Sequence, residues 1–99
     1  MTEAAGSAAP GMLKRTLPIA NKRGLHARAA AKFVRTAGQF DASVRVSFKG
    51  QDVSGLSIMG LMMLAAGVGS TIELTCSGRQ AMEAMVALSA LVEGKFGED

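Results

Sequence analysis

Gly24-Leu25-His26-Ala27-Arg28 is the stretch of this sequence whose residue types and spacing suit covalent chemistry. Helical spacing begins just after His26, which puts its ring at a helix N-terminus. There the first backbone N–H groups point outward without partners and the macrodipole is positive, so an anion such as a phosphoryl group is stabilised. A neutral imidazole nitrogen at that place is a nucleophile toward phosphorus. Once phosphorylated, it is a reactive donor rather than a stable ester, which suits reversible transfer. Arg28 can reach back to the phosphoryl oxygens with its forked donors and orient them. The plainer alternative is a polar helix cap beside a solvated arginine, and spacing alone leaves both readings open.

A second stretch, Ser57-Ile58-Met59-Gly60-Leu61-Met62-Met63-Leu64, reads as a short helix with Ser57 as its N-cap. It is apolar almost all round, although only one face of so short a helix can reach a core. Ile58, Met59, Met62 and Met63 are therefore candidates for partner binding, since methionine adapts its shape to more than one partner. Leu25 and Ala27, flanking an accessible His26, are expected to continue that docking surface. A phosphate on Ser57 would be favoured by the helix dipole and would place negative charge on the patch. The alternative is a helix buried more deeply than its length suggests.

These residues need a scaffold, and the rest of the chain reads as short alternating elements. Residues 13–19 form a strand with Leu13, Leu17 and Ile19 on one side. Pro18 lacks an N–H, which points to a sheet edge. Residues 27–37 are helical, with Ala30, Phe33, Val34 and Ala37 on one face and Gly38 as the stop. Residues 43–48 alternate Val44, Val46 and Phe48 inward, and Lys49-Gly50 turns the chain into a short strand at 51–54. Residues 70–76 place Ile72, Leu74 and Cys76 inward. The last helix, 79–93, opens on the capping-box spacing Ser77-Gly78-Arg79-Gln80 and buries Met82, Met85, Val86, Ser89 and Val92, with Phe96 beyond them. The order β-α-β-β-α-β-α with half-buried strands gives an α+β, two-layer open-faced β-sandwich, helices on one face of the sheet.

Composition narrows the function classes. Ninety-nine residues with 48% apolar and 19% charged residues make one small domain of net charge +3. The cations Lys14, Arg15, Lys22, Arg23, Arg28, Lys32 and Arg35 crowd into the N-terminal third, which suits an acidic partner or a phosphate. One cysteine and one histidine exclude an internal disulfide and leave too few ligands for zinc, so no metal or cofactor is expected. Cys76 falls on the core face of its strand, away from a Cys–His device, and no Walker-type run is present. The chain holds no Tyr or Trp to stack bases on an exposed sheet, which counts against nucleic acid. No run is long enough to span a membrane, and residues 1–11 (MTEAAGSAAPG) lack the blocks of a signal peptide. The reading is a flexible tail at 1–11 and a folded domain at 12–99, cytoplasmic and monomeric.

Asn21-Lys22-Arg23-Gly24-Leu25-His26-Ala27-Arg28-Ala29-Ala30 resembles the phosphohistidine motif of HPr, the phosphocarrier family of the bacterial phosphoenolpyruvate-dependent phosphotransferase system. Ser57-Ile58-Met59-Gly60-Leu61-Met62 resembles that family's regulatory serine site, and the likeness runs from about residue 12 to residue 96. The resemblance implies a four-stranded antiparallel sheet in the order 1-4-2-3. It implies a phosphoryl group taken by Nδ1 of His26 from phospho-Enzyme I, oriented by Arg28 and passed to IIA-type proteins. It also implies Ser57 as a target of HPr kinase/phosphorylase. The chain departs from the family's pattern at Ala29, often proline, at Leu56, often lysine, and at Ala65, often glycine. Relatives serve sugar uptake or a nitrogen-linked regulatory phosphorelay without a transported sugar. A docking domain that uses the Met-rich helix and never carries phosphate is the reading from another class.

Overall fold

The structure, a computed structural model, describes residues 12–98, so the tail expected at 1–11 lies outside the described residues. In chain order the elements are β1 (Leu13–Pro18), α1 (Ala27–Ala37), β2 (Ser43–Phe48), β3 (Gln51–Ser54), α2 (Ile58–Met63), β4 (Thr71–Ser77) and α3 (Ala81–Glu93). A single turn of 3₁₀ helix, Lys95–Gly97, follows α3.

The strands pair antiparallel in the order β1-β4-β2-β3, the 1-4-2-3 sheet of an α+β open-faced sandwich. Alternation sets the register: Leu17 lies opposite Ile72, Val44 opposite Cys76 and Val46 opposite Leu74, and all six are buried. A one-residue slip would turn that whole set into water. Pro18 lies in edge strand β1. Lys49 and Gly50, both at positive φ (50° and 83°), make the two-residue turn between β2 and β3, matching the twist of the strands they join.

The helices close the apolar face. Alanine dominates α1, which favours helix and lets the backbone approach the sheet. Ala29, Ala30, Phe33 and Ala37 are its buried side, while Val34 is half-buried. Leu61 anchors α2, and Phe33, Leu61, Leu88 and Phe96 meet the sheet in one cluster.

The last helix departs from expectation at its start and in its phase. Ser77 belongs to β4, opposite Ser43, and Gly78 turns the chain at φ 104°. Gln80 is the N-cap residue but makes no side-chain cap; its Oε1 accepts from the Asp41 N–H at 2.7 Å instead. The buried stripe is Ala81, Ala84, Met85, Leu88, Ser89 and Val92, and Met82 and Val86 are exposed. Nearly every face of α3 is apolar, so periodicity could not choose between them; the sheet does.

Backbone strain is stored at Ala65, which follows α2 at φ 56°. A left-handed alanine costs about 1 kcal/mol, partly offset in a glycine by its freer unfolded chain. Ala65→Gly is therefore expected to stabilise the fold by about 0.5 kcal/mol, read as a raised Tm. Gly24 behaves oppositely. Its φ is 66°, and a Cβ there would lie 2.5 Å from the Ala66 carbonyl oxygen. Gly24→Ala is expected to destabilise by about 2 kcal/mol in denaturant titration; a neutral effect would contradict the tight approach of these two loops.

Candidate functional site

The loop before α1 is built to hold His26. The Gly24 N–H donates to the Asn21 carbonyl at 3.2 Å, closing a turn that needs glycine's left-handed conformation. The Leu25 N–H donates to the Ala66 carbonyl at 3.0 Å, tying this loop to the one that follows α2. Asn21 is fully buried and spans the turn from inside, with Nδ2 donating to the Gly24 carbonyl at 2.8 Å. Its Oδ1 has no partner among the described residues.

His26 is the N-cap of α1, as the spacing predicts. Its Nδ1 accepts from the backbone N–H of Arg28 at 3.2 Å and of Ala29 at 3.4 Å. Its other nitrogen, Nε2, hydrogen-bonds Glu98 Oε2, a contact that nothing in the local sequence signals. Because Glu98 covers this edge, the ring is only 13% exposed, less than an open acceptor would be. The two sets of partners assign the ring's proton. Nδ1 faces donors and must accept; Nε2 faces a carboxylate and must donate. The ring is therefore the Nε2–H tautomer, with the Nδ1 lone pair directed at the start of α1.

Glu98 is itself held. Asn21 Nδ2 donates to its Oε1 at 3.1 Å, and Lys32 Nζ donates to the Phe96 carbonyl at 2.6 Å, fixing the turn that carries it. Desolvation pushes the Glu98 carboxyl up, but the hydrogen bonds from Asn21 and His26 and the charge of Lys32, joined by that of the ring when it is protonated, outweigh it. The carboxyl titrates below the ordinary glutamate range.

The basic residues of the N-terminal third are not one face. Lys22, Arg23, Arg28 and Lys32 line a cleft of about 370 Å³ with Gly97 and Glu98, whereas Arg15 turns away to pair with Glu93 at 3.1 Å. Arg28 is exposed in the first turn of α1, and no acidic residue stands in that turn. The positive helix end and these cations together favour an anion.

Ser57 caps α2, with its Oγ accepting from the Gly60 N–H at 2.9 Å. Ile58, Met59, Met62 and Met63 are all exposed, Met59 and Met63 at about 70%, and Leu56 and Val68 extend the apolar surface. Ala27 is exposed as well. Leu25 is the correction: it is 5% exposed and belongs to the core, because its backbone bond to Ala66 turns its side chain inward. Cys76 is fully buried, and burial pushes its thiol up, which removes a Cys–His nucleophile. Among the described residues no group of three His, Cys, Asp or Glu could hold a metal, and no helix is long and apolar enough to cross a membrane.

The Glu98 contact gives a pH dependence with a definite sign. A carboxyl lowered in the fold adds stability above its unfolded value and loses it as pH falls through the folded value. Glu98 is expected to titrate below ordinary glutamate by NMR, and Asn21→Ala to move that midpoint up. An ordinary midpoint in the intact chain would contradict the contact.

Comparison with known proteins agrees with this geometry. The family model described as the PTS HPr component phosphorylation site matches residues 13–94. The chain is 53% identical over 87 residues to the phosphocarrier protein HPr of Cupriavidus necator, covering 88% of this chain and 98% of that one. It is 44% identical over 86 residues to the phosphocarrier protein NPr of Shewanella violacea, covering 87% and 94%. Among solved structures, HPr from Thermoanaerobacter tengcongensis superposes with a TM-score of 0.84 at 42% identity, over 88% of this chain and 98% of that one. A match across the whole described fold, with half the sequence shared, settles the family: this chain belongs to HPr, the phosphocarriers of the phosphotransferase system, which carry a phosphoryl group rather than act as enzymes.

Proposed function

We propose that Nδ1 of His26 accepts a phosphoryl group from phospho-Enzyme I and passes it to IIA-type proteins. The observation that carries this reading is the Nδ1 lone pair held at the N-terminus of α1 beside a cationic cleft. When Nδ1 bonds phosphorus it ceases to accept, and the Arg28 and Ala29 N–H groups become free to donate to phosphoryl oxygens. Arg28 supplies the charge that neutralises and orients the group. The remaining cations steer an acidic partner surface toward the cleft.

Docking in this reading uses Ala27, Ile58, Met59, Met62 and Met63. Their exposure and the hydrogen bond between the loops at Leu25 and Ala66 support one surface running from α2 to His26. Ser57, at its edge, is the regulatory site: HPr kinase/phosphorylase would add about −1.5 to −2 charges there. The protein acts as a cytoplasmic monomer, with residues 12–99 as the carrier domain and 1–11 as a tail. A role in a nitrogen-linked relay is the second reading, favoured by the likeness to the Shewanella NPr.

Incubation with phosphoenolpyruvate and Enzyme I, read by intact mass, tests the proposal. The chain should gain one phosphoryl group, labile to acid and stable to alkali, and His26→Ala should abolish it while staying folded. Arg28→Ala should slow transfer on the order of tenfold without ending it. Acid-stable label, or label in His26→Ala, would place the chemistry elsewhere. Ser57→Asp and Met59→Glu should both fold and both accept phosphate more slowly, mainly through weaker affinity for Enzyme I. Wild-type rates in both would rule out the α2 surface as the docking site.

A further inference from the structure

The chain segment after α3 performs an unusual backbone manoeuvre to reach the site. Lys95, Phe96 and Gly97 all stand at positive φ, 58°, 56° and 75°, although two of them are not glycine. Such a conformation persists only where its surroundings enforce it. Here Phe96 is fully buried in the core, Lys32 Nζ grips the Phe96 carbonyl at 2.6 Å, and the Glu98 N–H closes on the Lys95 carbonyl at 2.9 Å. The outcome of this left-handed turn is one carboxylate, with Oε1 on Asn21 and Oε2 on His26 Nε2. The whole turn is anchored to aim it. Around the ring the charged groups are Glu98 on one edge and Lys22, Arg23, Arg28 and Lys32 lining the cleft.

We propose that Glu98 is a positioning residue for the transfer: its carboxylate, steadied by Asn21, holds the imidazole ring by its Nε2–H and keeps the Nδ1 lone pair on the line of attack. The proposal rests on Nδ1 of His26 being the phosphoryl acceptor. In the forward step the Nδ1 lone pair forms the bond to phosphorus while the bond from phosphorus to the donor breaks, and that electron pair leaves with the donor. No proton moves. The Nε2 proton stays in place, the ring takes on positive charge, and the Glu98 carboxylate faces it. Return transfer reverses the same steps. Without the carboxylate the ring keeps its helix-capping bonds but gains freedom to turn, and the positive charge formed during transfer faces no counter-ion on that edge. The arrangement resembles the carboxylate–imidazole pairing of hydrolytic triads in its logic, here serving a nucleophilic ring rather than a general base.

The test uses the full chain with ¹⁵N-labelled histidine in three forms: wild type, Glu98→Gln and Glu98→Asp. In the unphosphorylated wild type the Nε2–H proton should be visible and shifted downfield by its carboxylate partner, and Glu98→Gln should move it upfield and shift both ring nitrogens. Single-turnover phosphorylation by phospho-Enzyme I should slow in Glu98→Gln on the order of tenfold, less than a fully buried triad carboxylate contributes because Glu98 is part-exposed. Glu98→Asp should recover part of both signals, and thermal melting separates these effects from loss of fold. If wild type carries phosphate on His26 while Glu98→Gln keeps the ring shifts and the rate of wild type, Glu98 has no positioning role and the carrier reading stands. If wild type carries no phosphate on His26, the carrier reading fails and this proposal falls with it.

Discussion

The structure depends on a helix that begins on an imidazole, with no acidic side chain in its first turn. Most helices satisfy their first N–H groups with a hydroxyl or carboxylate cap and gather acids in the first turn. Here α1 starts on an imidazole, has no acid in its first turn, and carries Arg28 there instead. Each choice is unfavourable for the helix in isolation. Together they leave a positive end, two N–H groups held by a neutral ring nitrogen and a cationic cleft, an arrangement that favours an anion. The helix can bear this because its stability comes from elsewhere: Ala29, Ala30, Phe33 and Ala37 are buried against the sheet. Charged chemistry occupies one end of α1, and packing holds the rest.

Holding that end in place draws on distant parts of the chain. The Asn21–Gly24 turn sets the direction of entry, and the loop after α2 braces it through Ala66. The segment after α3 returns to cover Nε2. Asn21 is the meeting point, since one amide nitrogen serves both its own turn and Glu98. The turns around the site rely on backbone conformations that few residues adopt comfortably, at Gly24, Ala65, Lys95 and Phe96. At the three that are not glycine, burial or a hydrogen bond fixes the conformation rather than local preference.

Much of this was legible in the sequence, for physical reasons that also explain what was not. Alternation in residues 43–48 and 71–76 has one solution because polar and apolar residues strictly exchange, so the strands and their inward faces follow. Ser57 and His26 are readable as caps because each stands just ahead of a change in period. In α3 the apolar residues run round the whole helix, leaving the phase to tertiary packing, which turns Met82 and Val86 to solvent. Leu25 adjoins the histidine, which in sequence points to the surface; its burial depends on a backbone bond to Ala66, far along the chain. Glu98 was invisible for the same kind of reason. It lies 72 residues from His26 and arrives through a left-handed turn at non-glycine residues, which no local pattern announces. The one available hint was Phe96 bracketed by Gly94 and Gly97, an apolar anchor between two breakers just past a helix.

The central claim is chemical and narrow: the phosphoryl group bonds to the ring nitrogen that caps α1. The measurement that reaches it most directly is NMR of the phosphorylated chain with ¹⁵N-labelled histidine, in which coupling between phosphorus and nitrogen identifies the bonded atom. The account predicts coupling to Nδ1 of His26, with the proton retained on Nε2 and the Arg28 and Ala29 amide protons displaced as they turn to phosphoryl oxygens. Phosphorus coupled to Nε2, the nitrogen that Glu98 covers, would contradict it.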